Sequence, residues 1–341
     1  MRIALDATYS VGRTLSGVGV YSREILQGLA QTDQDGDEYL FCYRPHRLLR
    51  SFQQPIPRNA IRTLLWRGLP RDPDIFHGLN QRIDSTRFRR VVSTFHDLFV
   101  ITGEYSTPEF RQRFRRQAEL AAQRSDLIIA VSKFTADQVE DLLKVERSRI
   151  RVIYHGVHAR KTEAKPTNTV LFVGALQTRK NVLRLVQAFE KTPVGWKLML
   201  VGSAGFGAEA ILSYIAGSRR AGDIQLKGYV STAELDGLYS TAGIFAFPSL
   251  DEGFGMPVIE AMASGVPVLT SRTSATAEIS GDAALLVDPF DTSSIAEALC
   301  RLMSDGALRQ ELARKGIHHA QGFTWEKAVH ATRSVYRELG G

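Results

Sequence analysis

Two glutamates that are eight residues apart, Glu252 and Glu260, flank a glycine-rich turn in the segment EGFGMPVIE. The apolar run before this turn, Gly243–Ser249, is short enough for a buried strand. Pro257 suits the first turn of a helix, where its missing N–H has no cost. The segment therefore predicts a strand, a glycine turn and a helix, with one carboxylate before the helix and one within it.

The chemistry of this turn fits a sugar diphosphate. Gly253 and Gly255 let the backbone approach a ligand closely, and the N–H groups around Phe254 and Met256 can face phosphate oxygens at the helix start. A carboxylate accepts two or more hydrogen bonds from hydroxyl groups, which suits the vicinal diols of a hexose or ribose. The alternative is a strand-turn-helix whose glutamates lie on the surface.

A second glycine turn lies near the N-terminus, in Ser16–Ser22, after the first predicted strand. The backbone amides around Gly17 and Gly19 can also meet phosphate, although many such turns are purely structural. The turn gains significance from its partner at Gly253. We expect one glycine turn in each half of the chain, so that a diphosphate is held from both sides.

A basic loop provides the cations that such a ligand needs. In Phe172–Asn181 a strand is followed by Arg179 and Lys180, and a helix is expected to begin near Asn181. Cations at this place can neutralise a pyrophosphate leaving group, and the stabilisation of developing charge is usually the largest catalytic contribution. A pair of solvated surface cations is the alternative interpretation.

His96 and Asp97 follow an apolar strand at the edge of the expected site. His96 can form a hydrogen bond with a sugar hydroxyl, and Asp97 can orient the imidazole or cap the next segment. The sequence contains no Gly-x-Ser-x-Gly turn, which argues against a serine hydrolase triad. A structural histidine is the alternative for His96, and a structural role is favoured for His155.

Composition limits the class of protein. A chain of 341 residues exceeds the usual size of one hydrophobic core, so we expect two domains. No stretch approaches the roughly 18 apolar residues of a membrane span, and the N-terminus lacks the apolar region of a signal peptide. Cys42 and Cys300 are too few and too far apart for a disulfide framework or a zinc site. We therefore expect a cytoplasmic protein without a disulfide framework or a zinc site.

Positive charge is concentrated in the first half of the chain. Residues 1–160 contain 25 Lys and Arg against 18 Asp and Glu, whereas the remainder contains 18 of each kind. Much of the excess is arginine in two groups: Arg82, Arg87, Arg89 and Arg90, and Arg111, Arg113, Arg115 and Arg116. Arginine suits phosphate and anionic lipid headgroups, although charge runs are commonly just solvated faces. No nucleic-acid reader motif accompanies these arginines, so nucleic acid is not an expected partner.

One helix combines arginines with aromatic residues. In Glu109–Arg124, Phe110 and Phe114 are one turn apart among the four arginines of the second group. Apolar and basic residues that share a short helix are typical of segments that lie on a membrane surface. We therefore hypothesise that this helix faces an anionic membrane, or a lipid-diphosphate acceptor, at the inner face of the membrane.

Short apolar runs alternate with amphipathic ones along the chain, which indicates parallel α/β sheets. The strands expected in the first half are Ile3–Leu5, Ile75–His77, Val91–Phe95 and Leu127–Val131. Those expected in the second half are Val170–Val173, Leu198–Val201, Ile224–Leu226, Ile244–Phe247, Val266–Leu269 and Leu285–Val287.

The pattern restarts after a polar linker, Ala159–Asn168, which predicts two Rossmann-like doubly wound domains of residues 1–160 and 161–324. The last helix, within residues 325–341, is long and amphipathic, and we expect it to pack back on the first domain. Ligands of such folds bind beyond the carboxyl ends of the strands, so the expected site is a cleft between the domains.

Taken together, these segments resemble the retaining nucleotide-sugar glycosyltransferases of family 4, group 1, which have the GT-B fold, and in particular their mannosyltransferase-like members. The resemblance covers nearly the whole chain and is weakest from Arg44 to Arg71, where family members select acceptors. Its motifs are Gly17–Gly19, His96-Asp97, Val131-Ser132, His155–Val157, Gly174–Asn181, Gly228–Ser231, Pro248–Pro257 and Phe323–Trp325.

The resemblance implies a role for each matching residue. Glu252 would hold hydroxyl groups of the donor sugar, Glu260 would bind the nucleotide ribose, and His96 would contact the sugar. Tyr229 and Val230 would form a wall for the base. The diphosphate would be held by Gly17, Gly19, Arg179, Lys180, Gly253, Phe254, Gly255 and Met256. Some relatives have an arginine directly after the glycine at 174, where this chain has Ala175, so more of the phosphate charge would rest on Arg179 and Lys180.

The resemblance also implies a reaction. A hexose, mannose from GDP-mannose, would pass to a hydroxyl group of a saccharide or lipid-linked saccharide acceptor in cell-surface glycan synthesis. Attack would occur on the face from which the phosphate leaves, and that phosphate would accept the acceptor's proton, without an enzymic nucleophile or a metal. Open alternatives are a UDP-hexose donor, an epimerase or phosphorylase of the same fold, and a non-catalytic module that binds nucleotide sugar or a membrane surface.

Overall fold

The computed structural model describes residues 1–12, 14–32, 36–66, 69–83, 88–158 and 164–340. The chain forms two compact units, one of Met1–Gly156 with Thr324–Gly341 and the other of Val157–Phe323. The first unit thus ends at Gly156, slightly before the predicted boundary at residue 160. Part of the predicted linker, residues 159–163, lies outside the described residues, as does Arg87.

A seven-stranded parallel sheet forms the centre of the first unit, in the order β3-β2-β1-β4-β5-β6-β7. Its strands are β1 (Arg2–Asp6), β2 (Glu38–Tyr43), β3 (Ala60–Leu64), β4 (Ile75–Gly78), β5 (Val91–Phe95), β6 (Leu127–Ala130) and β7 (Ile150–Val152). The sequence analysis missed β2, β3 and β7. β3 and β7 are edge strands with half-exposed residues, and therefore lack the continuous apolar run of a central parallel strand.

Helices cover this sheet: α1 (Gly17–Gln31), α2 (Pro45–Ser51), α3 (Phe99–Thr102), α4 (Pro108–Arg124), α5 (Lys133–Leu143) and α13 (Trp325–Gly340). Side chains at the N-caps fix where three of them begin. Ser16 accepts a hydrogen bond from the Gly19 amide at the start of α1, and Thr107 and Ser132 do the same for α4 and α5.

α4 does not present its aromatic residues to solvent, which corrects the hypothesis that this helix faces a membrane. Phe114 is buried, and Phe110 packs against the same core cluster that includes Phe95 and Ile128. Of the four arginines of the second group, Arg113, Arg115 and Arg116 are exposed and Arg111 is half-buried. The helix is amphipathic because it covers its own sheet, which sequence periodicity cannot distinguish from a helix that lies on a bilayer.

The last helix, α13, packs on α1 of the first unit. A Cβ atom on Gly28 would collide with Val329, so glycine allows close contact between the two helices. The Arg333 guanidinium donates hydrogen bonds to the Leu29 carbonyl (2.9 Å) and to Thr32 Oγ1 (3.0 Å). These contacts attach the end of the chain to its beginning.

A six-stranded parallel sheet forms the centre of the second unit, in the order β10-β9-β8-β11-β12-β13. Its strands are β8 (Thr169–Val173), β9 (Lys197–Val201), β10 (Ile224–Gly228), β11 (Ile244–Phe247), β12 (Val268–Ser271) and β13 (Ala284–Val287). Its helices are α6 (Val182–Phe189), α7 (Ala208–Ala216), α8 (Thr232–Thr241), α9 (Met256–Ala263), α10 (Ser274–Ser280), α11 (Thr292–Ser304) and α12 (Gly306–Ala320).

All six strands of this sheet lie where the sequence analysis expects a strand, and one of them is shifted. β12 begins at Val268 rather than Val266, because Val266 still donates its N–H to the Ala261 carbonyl in α9 (3.0 Å) and Pro267 follows it. In the described ranges, none of the helices combines the length and the apolar character that a membrane crossing requires.

Candidate active site

The predicted donor-binding residues of the second unit lie at one edge of its sheet. The strands are parallel, so the segments that follow β8, β10 and β11 all leave from the same, carboxyl edge. These segments carry the basic loop with Arg179 and Lys180, the exposed Tyr229, and Glu252. The fold thus brings together residues that are about 70 positions apart in the sequence.

Asn181 fixes the basic loop. The loop ends in a 3₁₀ turn, Thr178–Lys180, and Asn181 then adopts a left-handed conformation (φ 60°) before α6 begins. The Asn181 side-chain amide donates to the carbonyls of Pro248 (2.9 Å) and Pro289 (2.7 Å). The loop is therefore attached to the ends of β11 and β13, and no sequence motif predicted this role of Asn181.

Arg179, Lys180 and Glu252 form a buried ionic cluster. Lys180 Nζ lies 2.5 Å from Glu252 Oε1, and Arg179 Nη1 lies 3.0 Å from Glu252 Oε2. Ser249 Oγ donates a further hydrogen bond to Glu252 Oε1 (2.6 Å), and the Arg179 guanidinium also donates to the Asp251 carbonyl. Glu252 is only 6% exposed and Arg179 7%, so these charges are largely removed from water.

The two cations of this cluster determine the protonation state of Glu252. Burial alone would raise the pKa of Glu252, but Arg179 and Lys180, with the hydrogen bonds from Lys180 and Ser249, outweigh it and lower that pKa to about 2. Glu252 is therefore ionised at neutral pH. Two cations and one carboxylate leave a net charge of +1, which favours the binding of a diphosphate.

The geometry gives Glu252 a task that the sequence did not predict. Its Oε1 atom already accepts hydrogen bonds from Lys180 and Ser249, and its Oε2 atom faces Arg179. These contacts occupy part of the hydrogen-bonding capacity of the carboxylate. It orients the two cations, and its predicted contact with sugar hydroxyls stays a prediction.

The glycine turn and α9 have the expected order. Gly255 is the N-cap of α9, with φ at 95°, and Pro257 lies in the first turn. Phe254 is buried and its ring packs edge-to-face on Phe323 (centroids 6.1 Å apart), so its side chain anchors the turn. The first amides of a helix have no partner within the helix, and those of Met256 and the residues before it are the predicted phosphate donors.

Replacement of Gly255 by alanine is expected to destabilise the second unit by about 1–3 kcal/mol. An L-residue is strained at φ 95°, and the new Cβ would lie 2.9 Å from Thr276 Cγ2. Gly222→Ala is the matched control, because its Cβ would meet no atom within 4 Å. Urea unfolding of both variants measures the difference, and an equal free energy of unfolding for the two would contradict the prediction.

Glu260 lies on α9, two turns beyond Gly253, and is half-buried. Tyr239, which is fully buried on α8, donates its hydroxyl to Glu260 Oε2 (3.0 Å). The tyrosine fixes the carboxylate that is predicted to bind ribose, and no motif had pointed to it. Tyr229 and Val230 follow β10, and the Tyr229 ring is 60% exposed.

The predicted residues of the first unit lie at the carboxyl edge of its own sheet. Gly17 and Gly19 occupy the first turn of α1, and His96 follows β5. A Cβ on Gly19 would lie 2.8 Å from the Tyr9 carbonyl oxygen, so close packing alone explains why a glycine occupies this position. Tyr21 of α1 contacts the His96 ring edge-on, with centroids 4.8 Å apart.

His96 is a neutral imidazole at neutral pH. Burial lowers its pKa to about 4, against a weaker opposite effect of the hydrogen bond to Leu79. The Leu79 carbonyl lies 3.0 Å from His96 Nε2 and can only accept, so Nε2 carries the proton. Nδ1 is then the acceptor atom of this ring. The His155 ring, which is also buried, stacks on it with centroids 5.4 Å apart.

A buried chain of hydrogen bonds supports this edge and was not predicted. Tyr336 of α13 lies 2.5 Å from His77 Nδ1, and Thr94 Oγ1 lies 2.9 Å from His77 Nε2. Thr94 also pairs with the Tyr21 hydroxyl (2.9 Å). Burial lowers the pKa of His77 to about 3, so this ring is also neutral. These hydrogen bonds connect α13 to α1 through β4 and β5.

Acid is expected to weaken the protein through these histidines. The pKa of His96 is about 4 in the folded chain and 6.5 ordinarily, so the unfolded state binds a proton first as pH falls. Above pH 6.5, His96 is neutral in both states and costs no stability. As pH falls from 6.5 towards 4, protonation of the unfolded state lowers the free energy of unfolding, by roughly 3 kcal/mol at the lower limit. Urea unfolding across this range measures the loss, and His96→Gln should reduce it. An unchanged pH dependence in the variant would contradict this assignment.

Each of the two units matches a family model of known proteins. Residues 15–161 match the family model for Glycosyltransferase Family 4, and residues 157–319 match that for Glycosyl transferases group 1. O-antigen chain mannosyltransferase B of Escherichia coli is 27% identical, over 98% of this chain and 99% of that protein.

Solved structures show the same architecture. Sucrose-phosphate synthase from Thermosynechococcus elongatus superposes with a TM-score of 0.79 at 21% identity, over 99% of both chains. HepE of Anabaena, solved with UDP and glucose, gives a TM-score of 0.75 at 16% identity, also over 99% of both chains. Two parallel-sheet units with these neighbours are the GT-B fold. The chain belongs to the group 1, family 4 glycosyltransferases.

Proposed function

We propose that this glycosyltransferase moves mannose from GDP-mannose to a hydroxyl group of a saccharide or lipid-linked saccharide acceptor, with retention of anomeric configuration. The observation that carries the chemistry is the buried cluster of Arg179, Lys180 and Glu252, with its net charge of +1. The choice of mannose and of a cell-surface glycan is supported by the similarity to the O-antigen chain mannosyltransferase.

The residues of the second unit would bind the donor. Arg179 and Lys180 would stabilise the charge that develops on the leaving diphosphate, together with the first amides of α9. Glu260, oriented by Tyr239, would accept the ribose hydroxyls, and Tyr229 would contact the base. Arg179, Lys180 and Tyr229 lie on segments that leave the carboxyl edge of the second sheet, and α9 starts at the same edge.

His96 would orient the sugar rather than move a proton. Its ring is neutral, and its Nε2 proton is donated to the Leu79 carbonyl. Nδ1 can therefore accept a hydrogen bond from a sugar hydroxyl but offers no proton. The bond from the anomeric carbon to phosphate would break while the acceptor oxygen bonds on the same face, and the released phosphate would take the acceptor's proton.

Transfer is expected to be independent of divalent metal, because Arg179, Lys180 and the start of α9 would supply the positive charge that a metal supplies elsewhere. The measurement is the initial rate of transfer after treatment with EDTA, compared with the rate in added Mg²⁺ or Mn²⁺. A rate that falls more than about tenfold on chelation and returns with the metal would contradict this part of the proposal.

A donor panel tests the proposed function. GDP-mannose, GDP, UDP-glucose, UDP-N-acetylglucosamine, UDP and ADP-glucose are added to the protein, and its thermal midpoint is measured. A ligand at ~100 times its Kd adds about 2.7 kcal/mol of stability. We expect stabilisation by GDP and GDP-mannose. Selective stabilisation by the uridine ligands would establish the alternative, a UDP-hexose transferase.

Two further results would separate the remaining alternatives. The proton spectrum of the initial product reports the anomeric configuration, and an inverted product would exclude the retaining mechanism. Stabilisation by a donor without transfer to any tested saccharide or lipid-linked acceptor would favour a non-catalytic nucleotide-sugar module. Release of free sugar in the absence of an acceptor would favour a hydrolysing epimerase.

A further inference from the structure

The segment after β2 has an unusual composition for a solvent-exposed surface. Residues 44–71 contain seven arginines and no aspartate or glutamate. In the structure this segment forms α2 and β3, which is the edge strand of the first sheet. It is also the part of the chain in which the resemblance to the family is weakest, so its properties belong to this chain.

Large apolar side chains of this segment are open to solvent. Leu49 is 83% exposed and Phe52 is 65% exposed, and they are neighbours on one face of α2 because they are three residues apart. After β3, Trp66 is 47% exposed and Leu69 is 37% exposed, and the Leu69 N–H donates to the Trp66 carbonyl (2.9 Å). Side chains of this size are normally buried when they occur together.

These apolar groups and the arginines lie on the same edge of the unit. The Arg62 guanidinium of β3 lies 5.2 Å from the centre of the Phe52 ring, which joins the end of α2 to the strand. The Leu65 amide donates to the Tyr43 carbonyl (2.8 Å), so Trp66 follows a residue that lies beside the point where α2 begins. We call this surface the α2 edge and define it by Arg47, Leu49, Arg50, Phe52, Arg58, Arg62, Trp66 and Leu69.

None of the ion pairs between described residues involves an arginine of the α2 edge. Among the described residues, no carboxylate lies within ion-pair distance of Arg47, Arg50, Arg58 or Arg62. By contrast, Arg111 of α4 pairs with Glu104 (3.3 Å). Exposed apolar side chains beside uncompensated arginines are complementary to a surface with an apolar interior and anionic headgroups.

We propose that the α2 edge docks this protein on an anionic lipid bilayer, with Leu49 and Phe52 inserted at the interface and the arginines against the headgroups. This inference deepens the proposed function, since a lipid-linked acceptor is met at a bilayer. It assigns membrane contact to α2, not to α4, whose phenylalanines face the core.

Sedimentation with vesicles tests this inference without donor or acceptor, so its outcome is separate from that of the transfer reaction. The full chain is mixed with vesicles of phosphatidylcholine that contain about one third phosphatidylglycerol, and with pure phosphatidylcholine vesicles. We expect partitioning onto the anionic vesicles only. The double variants Leu49→Ser/Phe52→Ser and Arg50→Glu/Arg58→Glu should each weaken partitioning at least about tenfold.

A matched charge control lies on α4. Arg115→Glu/Arg116→Glu changes the net charge by the same amount at exposed positions of a helix whose phenylalanines pack against the core, and should weaken partitioning less than about threefold. An equal loss in this control, binding to neutral vesicles, or no binding to either vesicle would overturn the inference. A dimer in sedimentation velocity that the α2 variants dissociate would also overturn it, because the edge would then be covered by a second copy.

Discussion

Replacement of Lys180 by alanine is expected to lower the rate of transfer by about a hundred- to a thousandfold. The lysine ammonium contributes one of the two positive charges in the cluster, and its removal leaves Arg179 and Glu252 with a net charge of zero. A diphosphate that leaves with its negative charge would then meet no excess of positive charge. The measurement is kcat/KM for transfer from GDP-mannose in the variant and the wild type.

The fold should tolerate this change, because Glu252 keeps Arg179 and Ser249 as partners. Lys197→Ala is the matched control: this exposed lysine begins β9, at the opposite end of the sheet from the basic loop. We expect its activity to be within about twofold of the wild type. Near-normal transfer by Lys180→Ala would contradict the assignment of the cluster to the leaving group.

Replacement of Glu252 by glutamine is expected to lower both activity and stability. The change leaves Arg179 and Lys180 close together, largely buried and without a countercharge, and the loss of one partner of a buried ion pair typically costs about 3–5 kcal/mol. The role that the resemblance implies for Glu252, contact with hydroxyl groups of the donor sugar, predicts a loss of activity alone. The structure predicts that the variant is also less stable, and urea unfolding at neutral pH measures the difference.

The contribution of Glu252 has a defined pH dependence. Its pKa is about 2 in the folded protein and 4.5 ordinarily, so the unfolded state binds a proton first on acidification. The stabilisation is complete above pH 4.5 and is lost as pH falls towards 2, by about 3 kcal/mol in total. The stability difference between wild type and Glu252→Gln should therefore shrink in acid. A difference that stays constant from neutral pH to about pH 3 would contradict the ion-pair account.

The sequence was sufficient to predict the central strands and the loops that carry charge. Val91–Phe95 and Ile244–Phe247 are buried strands with continuous apolar runs, and both have the predicted bounds. Strands β3 and β7 could not be recognised in this way, because an edge strand with half-exposed residues has no such run. The apolar face of α4 was recognised, but what it packs against is a property of the tertiary fold.

The candidate site could also be predicted from the sequence only in part. Motif spacing identified Arg179, Lys180 and Glu252 as residues of one site, but not that the glutamate binds both cations. That contact joins positions about 70 residues apart, and only the order of β8 and β11 in the sheet brings them together. The contacts made by Ser249, Tyr239 and Asn181 were not predicted, because a serine, a tyrosine and an asparagine in such segments carry no signal of their own.

The most direct test of the central claim is a calorimetric titration of GDP-mannose into the wild-type protein and into Lys180→Ala. The claim is that the Arg179–Lys180 cluster holds the diphosphate of a guanine nucleotide sugar. It predicts saturable binding to the wild type and at least about tenfold weaker binding to the variant, as expected for the loss of a charge-assisted contact. Equal affinity in the two proteins, or tighter binding of UDP-glucose by the wild type, would contradict it.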